Sequence, residues 1–328
     1  MTKTSQRRKV VFASGDSHCT AWHYPGDNGG CVILAAGLGV TKEPGTDRFA
    51  ERFHRAGYSV LAFDYRNLGE SGGTPRQLVR ISEQLADWRA AIGFAATLPG
   101  VQADKLAIWG FSASGGHVFT VAARNPRVAA AIAHAPLADG LHAMRNALRH
   151  TTPWALTRLS ARAAADTLGG LLGRAPLLVP LAGPRGTVAS LTTPYSLNGA
   201  HALNPANKYP HWQQSVAARS AIRVGFYRPA RFAARIRCPL LVLAYDQDGV
   251  APPAPATHAA QSAPRGQVTR LPGGHYAAFL DGEEQAADVL VSFLDRALAP
   301  RTDGPADEYV AAEEPGVVVA HRTPSTRN

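Results

Sequence analysis

Residues 106–119 read Leu-Ala-Ile-Trp-Gly-Phe-Ser-Ala-Ser-Gly-Gly-His-Val-Phe. The apolar run Leu106–Trp109 has the length and character of a buried strand. A helical pattern opens directly after Ser112. One hydroxyl therefore stands at an abrupt junction between strand and helix. A sharp turn there lifts the side chain clear of the sheet but crowds the backbone, so the residues two places either side must be small. Gly110 and Ser114 meet that demand. The N-terminus of the following helix points at the same spot and favours negative charge that develops there.

The same alternation runs outward from this junction in both directions. Strands are expected at Val10–Ala13, Thr20–Tyr24, Cys31–Ala36, Ser59–Asp64, Val128–Ala135, Pro239–Tyr245 and Gln267–Leu271. Helices are expected at Phe49–Ala56, Ile81–Leu98, Ala113–Arg124, Ala254–Ser262 and Glu283–Leu298. Strands that alternate with helices predict an α/β fold, a parallel sheet covered on both faces. Uninterrupted apolar runs agree, because such strands are buried on both sides. The alternation breaks between residues 141 and 237. A plain loop is not that long. The segment reads as an inserted, mainly helical cap over the sheet edge, which divides the core into residues 1–140 and 238–300. The stretch 301–328, rich in Pro, Glu, Asp, Thr and Ala, is expected to be a disordered tail.

A serine hydroxyl is a weak nucleophile until a base takes its proton. The base expected here is His275, which follows the last strand in the glycine turn Leu271-Pro272-Gly273-Gly274-His275. An acid that orients the imidazole should follow the penultimate strand. Asp248, in the loop, suits that task better than Asp246 at the strand end; Asp139 is a third choice. The oxyanion of a tetrahedral intermediate needs N–H donors. Those of Ala113 and of Leu38, in Gly37-Leu38-Gly39, are placed to supply them. His134, Trp212 and Tyr276 are candidate pocket residues. No metal-ligand cluster and no phosphate loop is visible, and no cofactor is expected.

Composition narrows the classes further. The 328 residues are 45% hydrophobic and 18% charged, an ordinary globular mixture. No apolar run approaches the ~18 residues of a membrane span. The charged N-terminus has no apolar stretch behind it, so a cytoplasmic protein is expected. Cys19, Cys31 and Cys238 fit neither a disulfide framework nor a zinc pattern. The net charge of +10 sits in one place: residues 141–237 hold thirteen Arg or Lys against one acid, Asp166. Such asymmetry bears on partners. It suits a small-molecule acyl substrate that is anionic or carrier-bound; nucleic acid is not expected without a binding motif, and a homodimer is allowed.

Taken together these residues resemble the α/β-hydrolase superfamily, over residues 10–140 and 238–298 and in its order of nucleophile, acid and histidine. Asp64-Tyr65-Arg66-Asn67-Leu68-Gly69-Glu70-Ser71 looks like the D-x-R-x-x-G-x-S turn of that superfamily, and Asp248 with Pro252 resembles its acid loop. The nearest likeness is to bacterial serine hydrolases of the dipeptidyl-peptidase-like and acetylxylan-esterase-like branch. The resemblance implies a mostly parallel eight-stranded sheet with a cap. Two positions depart from the pattern: Ala36 stands where a histidine often precedes the oxyanion-loop glycine, and Ser114 stands where the elbow usually has glycine. The expected activity is hydrolysis of a carboxylic ester or thioester through an acyl-enzyme. The alternatives are acyl transfer or cyclisation of a natural-product intermediate in the same pocket, and a non-catalytic binding protein on a hydrolase scaffold.

Overall fold

A computed structural model describes residues 7–299 and 317–318. The chain runs β1 (Arg8–Ser14), β2 (Ser17–Tyr24), β3 (Cys31–Ala35), α1 (Lys42–Arg55), β4 (Ser59–Phe63), α2 (Ile81–Ala95), β5 (Leu106–Phe111), α3 (Ala113–Ala122) and β6 (Val128–His134). Then come α4 (Gly140–Leu148), α5 (Pro153–Leu171), β7 (Leu178–Pro180), α6 (Ser196–Leu203), β8 (Ser215–Ala217) and α7 (Ala218–Val224). The alternation resumes with β9 (Leu240–Tyr245), α8 (Pro253–Ser262), β10 (Gly266–Leu271), α9 (Glu283–Leu298) and β11 (Val317–Val318).

The main sheet has the order β1-β2-β4-β3-β5-β6-β9-β10-β11. From β4 to β10 every pairing is parallel; β2 is antiparallel to both its neighbours. The eight strands β1 to β6, β9 and β10 form the expected mostly parallel sheet, and the two-residue strand β11 pairs antiparallel with β10 at its edge. Apart from those two residues, the tail expected over 301–328 lies outside the described residues. Successive strand residues point to opposite faces, and both faces are dry. Ile33, Leu61 and Ile108 join Trp88 of α2 and Phe119 of α3 in one core. Val32, Leu34 and Trp109 join Phe49 and Phe53 of α1 and Phe293 of α9 in the other. A strand buried on both sides can carry no polar alternation, which is why β5 reads as an unbroken apolar run.

Helix α1 begins seven residues before the expected Phe49. Pro44 and Gly45 obscure it in the sequence. Proline lacks only an N–H that the first helical turn leaves unpaired anyway. Gly45 packs so tightly on the Ala36 methyl that a Cβ there would collide with it. The segment between β6 and β9 holds four helices and an antiparallel ribbon in which Leu178–Pro180 pairs with Ser215–Ala217. Asp166, the single acid of residues 141–237, is buried; its two carboxylate oxygens accept the Leu177 and Arg219 backbone N–H groups at 2.8 and 3.0 Å.

Candidate active site

Ser112 occupies the bend between β5 and α3 with φ 58° and ψ −117°. A β-carbon rarely tolerates that backbone, and such strain persists only where the surroundings enforce it. Here its N–H donates to the His134 carbonyl at 3.0 Å, and its own carbonyl accepts from Gly116 and Leu137 at 3.0 and 2.9 Å. Gly110 is required beneath the bend: a Cβ there would collide with the Ser114 carbonyl. The hydroxyl is left projecting from the sheet's carboxyl edge.

His275 meets it from the loop after β10. His275 Nε2 lies 2.9 Å from Ser112 Oγ, and Nδ1 lies 2.7 Å from Asp248 Oδ2. The other oxygen of Asp248 accepts the Val250 and Ala251 N–H groups at 2.8 and 2.7 Å, so the carboxylate cannot swing. His275 and Asp248 are 3% and 5% exposed, so water competes little for their hydrogen bond. The two loops brace each other: Gln247 N–H donates to the Gly273 carbonyl, and Gly273 N–H to Gln247 Oε1. Asp246, two residues earlier, points away to the surface and pairs with Arg270 at 2.6 Å. Asp139 caps α4 through the His142 N–H and holds Arg228 at 2.9 Å. Of the three carboxylates considered from sequence, only Asp248 faces the imidazole.

Gly37 lies directly over the serine; a Cβ on it would sit 3.1 Å from Ser112 Cβ and 3.5 Å from Oγ. The loop turns back at once, Val40 N–H donating to the Gly37 carbonyl at 3.2 Å. The N–H groups of Leu38 and Ala113 have no protein acceptor among the described residues. Two free donors beside a projecting hydroxyl suit a developing oxyanion. Asp64 anchors the far end of this loop, accepting Lys42 N–H at 2.7 Å and Lys42 Nζ at 2.9 Å. That bond gives the D-x-R-x-x-G-x-S turn its task.

The candidate pocket residues divide. Tyr276 packs edge-on against His275, ring centroids 4.9 Å apart, and reaches Gly199 of α6. Trp212 is buried and donates Nε1–H to the Gly39 carbonyl at 2.9 Å, so its polar atom holds the loop from the inserted segment. His134 does not line an open pocket. It is 0% exposed, ringed by Phe49, Trp109 and Phe111, with Nε2 2.8 Å from the Tyr245 hydroxyl. A polar residue at a strand end is no guide to whether its side chain meets solvent.

Burial pushes the pKa of His134 and of His117 down to about 3. Neutral His117 satisfies both nitrogens at once, against Gln84 Oε1 at 2.9 Å and the Tyr227 hydroxyl at 3.0 Å. The unfolded chain takes up protons on these rings below about pH 6.5, whereas the native state stays neutral to about pH 3. Their stabilisation is therefore complete above about pH 6.5 and is lost as pH falls, by about 1.4 kcal/mol per pH unit for each ring. Urea midpoints measured between pH 7 and pH 4 are expected to fall, and His117→Gln to flatten the slope by one ring's share. An unchanged slope in that variant removes His117 from the account.

The family description "Serine aminopeptidase, S33" matches residues 26–275, which span β3 to His275. The quorum-quenching protein AidA of Acinetobacter baumannii is 35% identical over 88% of this chain and 94% of its own. The thiohydrolase aneE of Aspergillus aculeatus is 29% identical over 69% of this chain and 71% of its own. The crystal structure of the α/β hydrolase GrgF from Penicillium sp. sh18 superposes with a TM-score of 0.74 at 22% identity, covering 89% of this chain and 99% of that one. The chain belongs to the serine aminopeptidase S33 family of the α/β-hydrolase superfamily.

Proposed function

We propose that this chain is a serine hydrolase that cleaves a carboxylic ester or thioester through an acyl-enzyme. The observation that carries this reading is the unbroken line Asp248–His275–Ser112, with bonds of 2.7 and 2.9 Å, under a loop that presents an unpaired N–H. In the proposed cycle His275 Nε2 takes the Ser112 proton as Oγ attacks the acyl carbonyl. Asp248 stabilises the imidazolium and fixes its tautomer. The Leu38 and Ala113 N–H groups receive the oxyanion. His275 then protonates the leaving alkoxide or thiolate, and a water activated by the same nitrogen releases the acid. A thioester finds support in the relative named a thiohydrolase. The cationic inserted segment suits an anionic carrier on the leaving group.

Intact-mass spectrometry across a small set of esters and thioesters tests the reading. A Ser112 acyl adduct is expected, followed by one ¹⁸O per released acid in labelled water. An adduct that discharges without ¹⁸O, onto a hydroxyl or amine, turns the reading to acyl transfer or cyclisation. No adduct with any member of the set, together with no labelling by a fluorophosphonate, returns the chain to a binding role.

A further inference from the structure

The two departures from the superfamily pattern, Ala36 and Ser114, touch each other. Ser114 Oγ donates to the Ala36 carbonyl, the last acceptor before the Gly37–Leu38 peptide. The same oxygen lies 2.5 Å from the Tyr65 hydroxyl, which accepts Trp88 Nε1–H at 2.8 Å. A carbonyl can only accept, and an indole N–H can only donate. The protons therefore run one way, from Trp88 N–H to the Tyr65 oxygen, Tyr65 O–H to Ser114, and Ser114 O–H to Ala36. Ser114 and Tyr65 are each 1% exposed, so no water substitutes for a missing member.

This chain of bonds bears on the candidate oxyanion donor. The Leu38 N–H shares its peptide with the Gly37 carbonyl, which accepts Val40 N–H, and two further carbonyls flank that peptide: Ala36, held from the core by Ser114, and Gly39, held from the inserted segment by Trp212. Between them stands Gly37, whose backbone has the widest conformational freedom of any residue. Fixing both ends of such a loop narrows the directions that the neighbouring N–H can take. Position 36 carries no side chain that could do this, and Gly45 of α1 packs directly on the Ala36 methyl. The serine hydroxyl does it from below.

We infer that Ser114 is a positioning residue for the oxyanion donor Leu38 N–H, its hydroxyl replacing a side-chain anchor that the loop itself lacks. The inference rests on the hydrolase reading above. Its test is a set of variants assayed with one ester and one thioester: Ser114→Ala, Ser114→Gly, Tyr65→Phe and Ser114→Ala/Tyr65→Phe, beside Ser112→Ala. Removing one oxyanion donor costs about 10²–10³ in kcat; a donor that is present but loosened should lose less, about 10- to 100-fold. Both Ser114 variants are expected to show that loss in kcat with KM changed less than about twofold, because the ground-state carbonyl depends little on the donor. Tyr65→Phe should lose about threefold, and the double variant should be no slower than Ser114→Ala, since the relay is already broken.

Ser114→Gly restores the residue usual at this turn, so its loss cannot be laid to bulk; thermal melts of each variant fix the assay temperature below the transition. Wild-type kcat in either Ser114 variant, with Ser112→Ala inactive, overturns the inference and leaves the hydrolase reading standing. Losses that multiply in the double variant, or that fall on KM, overturn it equally. Full turnover in Ser112→Ala removes the hydrolase reading and the inference with it.

Discussion

Ser112→Ala is expected to lower kcat on any ester or thioester substrate by about 10⁴–10⁶ and to abolish fluorophosphonate labelling, while the fold survives. The magnitude follows from removing a nucleophile that acts as a unit with its base: what remains is binding and the oxyanion donors, worth ~10³–10⁴ over water. The fold should survive because an alanine keeps the Cβ and all three backbone bonds of residue 112, to the His134 carbonyl and from the Gly116 and Leu137 N–H groups. Lost with the hydroxyl is the 2.9 Å contact with His275. A steady-state assay beside a thermal melt reads both parts. Turnover within about tenfold of wild type would take Ser112 out of the mechanism.

Asp248→Asn is expected to cost about 10⁴ in kcat with little change in stability. The structure dictates which way the new amide would face. Val250 and Ala251 donate N–H groups to Asp248 Oδ1, so the Asn carbonyl oxygen must stay there. The amide NH₂ is then turned to His275 Nδ1, which becomes the acceptor. The ring proton moves to Nε2, and Nε2 can no longer take the Ser112 proton. Asp246→Asn is the matched control: that carboxylate serves an exposed pair with Arg270, of the kind worth 0–1 kcal/mol, and kcat should hold within about twofold. A loss below tenfold in Asp248→Asn would place the orienting acid elsewhere.

Much of this site was legible before any coordinates. The bend at Ser112 announces itself because a two-face buried strand must be apolar throughout and must end abruptly on small residues. Glu283–Leu298 has the bounds read from sequence, and β5 opens at Leu106 as read. Its place in the loop favours Asp248 over Asp246, and Asp248 is the carboxylate that meets His275, but the pattern does not show what holds it there. That depends on which carboxylate the last turn of β9 sends outward, and on a brace from Gln247 to Gly273 that has no sequence signature. His134 misled for a related reason: its imidazole is buried among aromatic rings, with Nε2 bonded to the Tyr245 hydroxyl, and a strand-end position in the sequence does not show this. The Leu178–Pro180 ribbon partner lies beyond α6 in the chain, and local periodicity does not report such pairings. Ser114 was visible only as a small residue. That its hydroxyl has work of its own follows from Ala36, Tyr65 and Trp88, which meet it only in the folded chain.

The bond from Trp212 to the Gly39 carbonyl ties the segment between β6 and β9 to the loop beside Ser112. Were the indole drawn away, Gly39 would lose that tether, and the loop would keep only its core-side hold at Ala36.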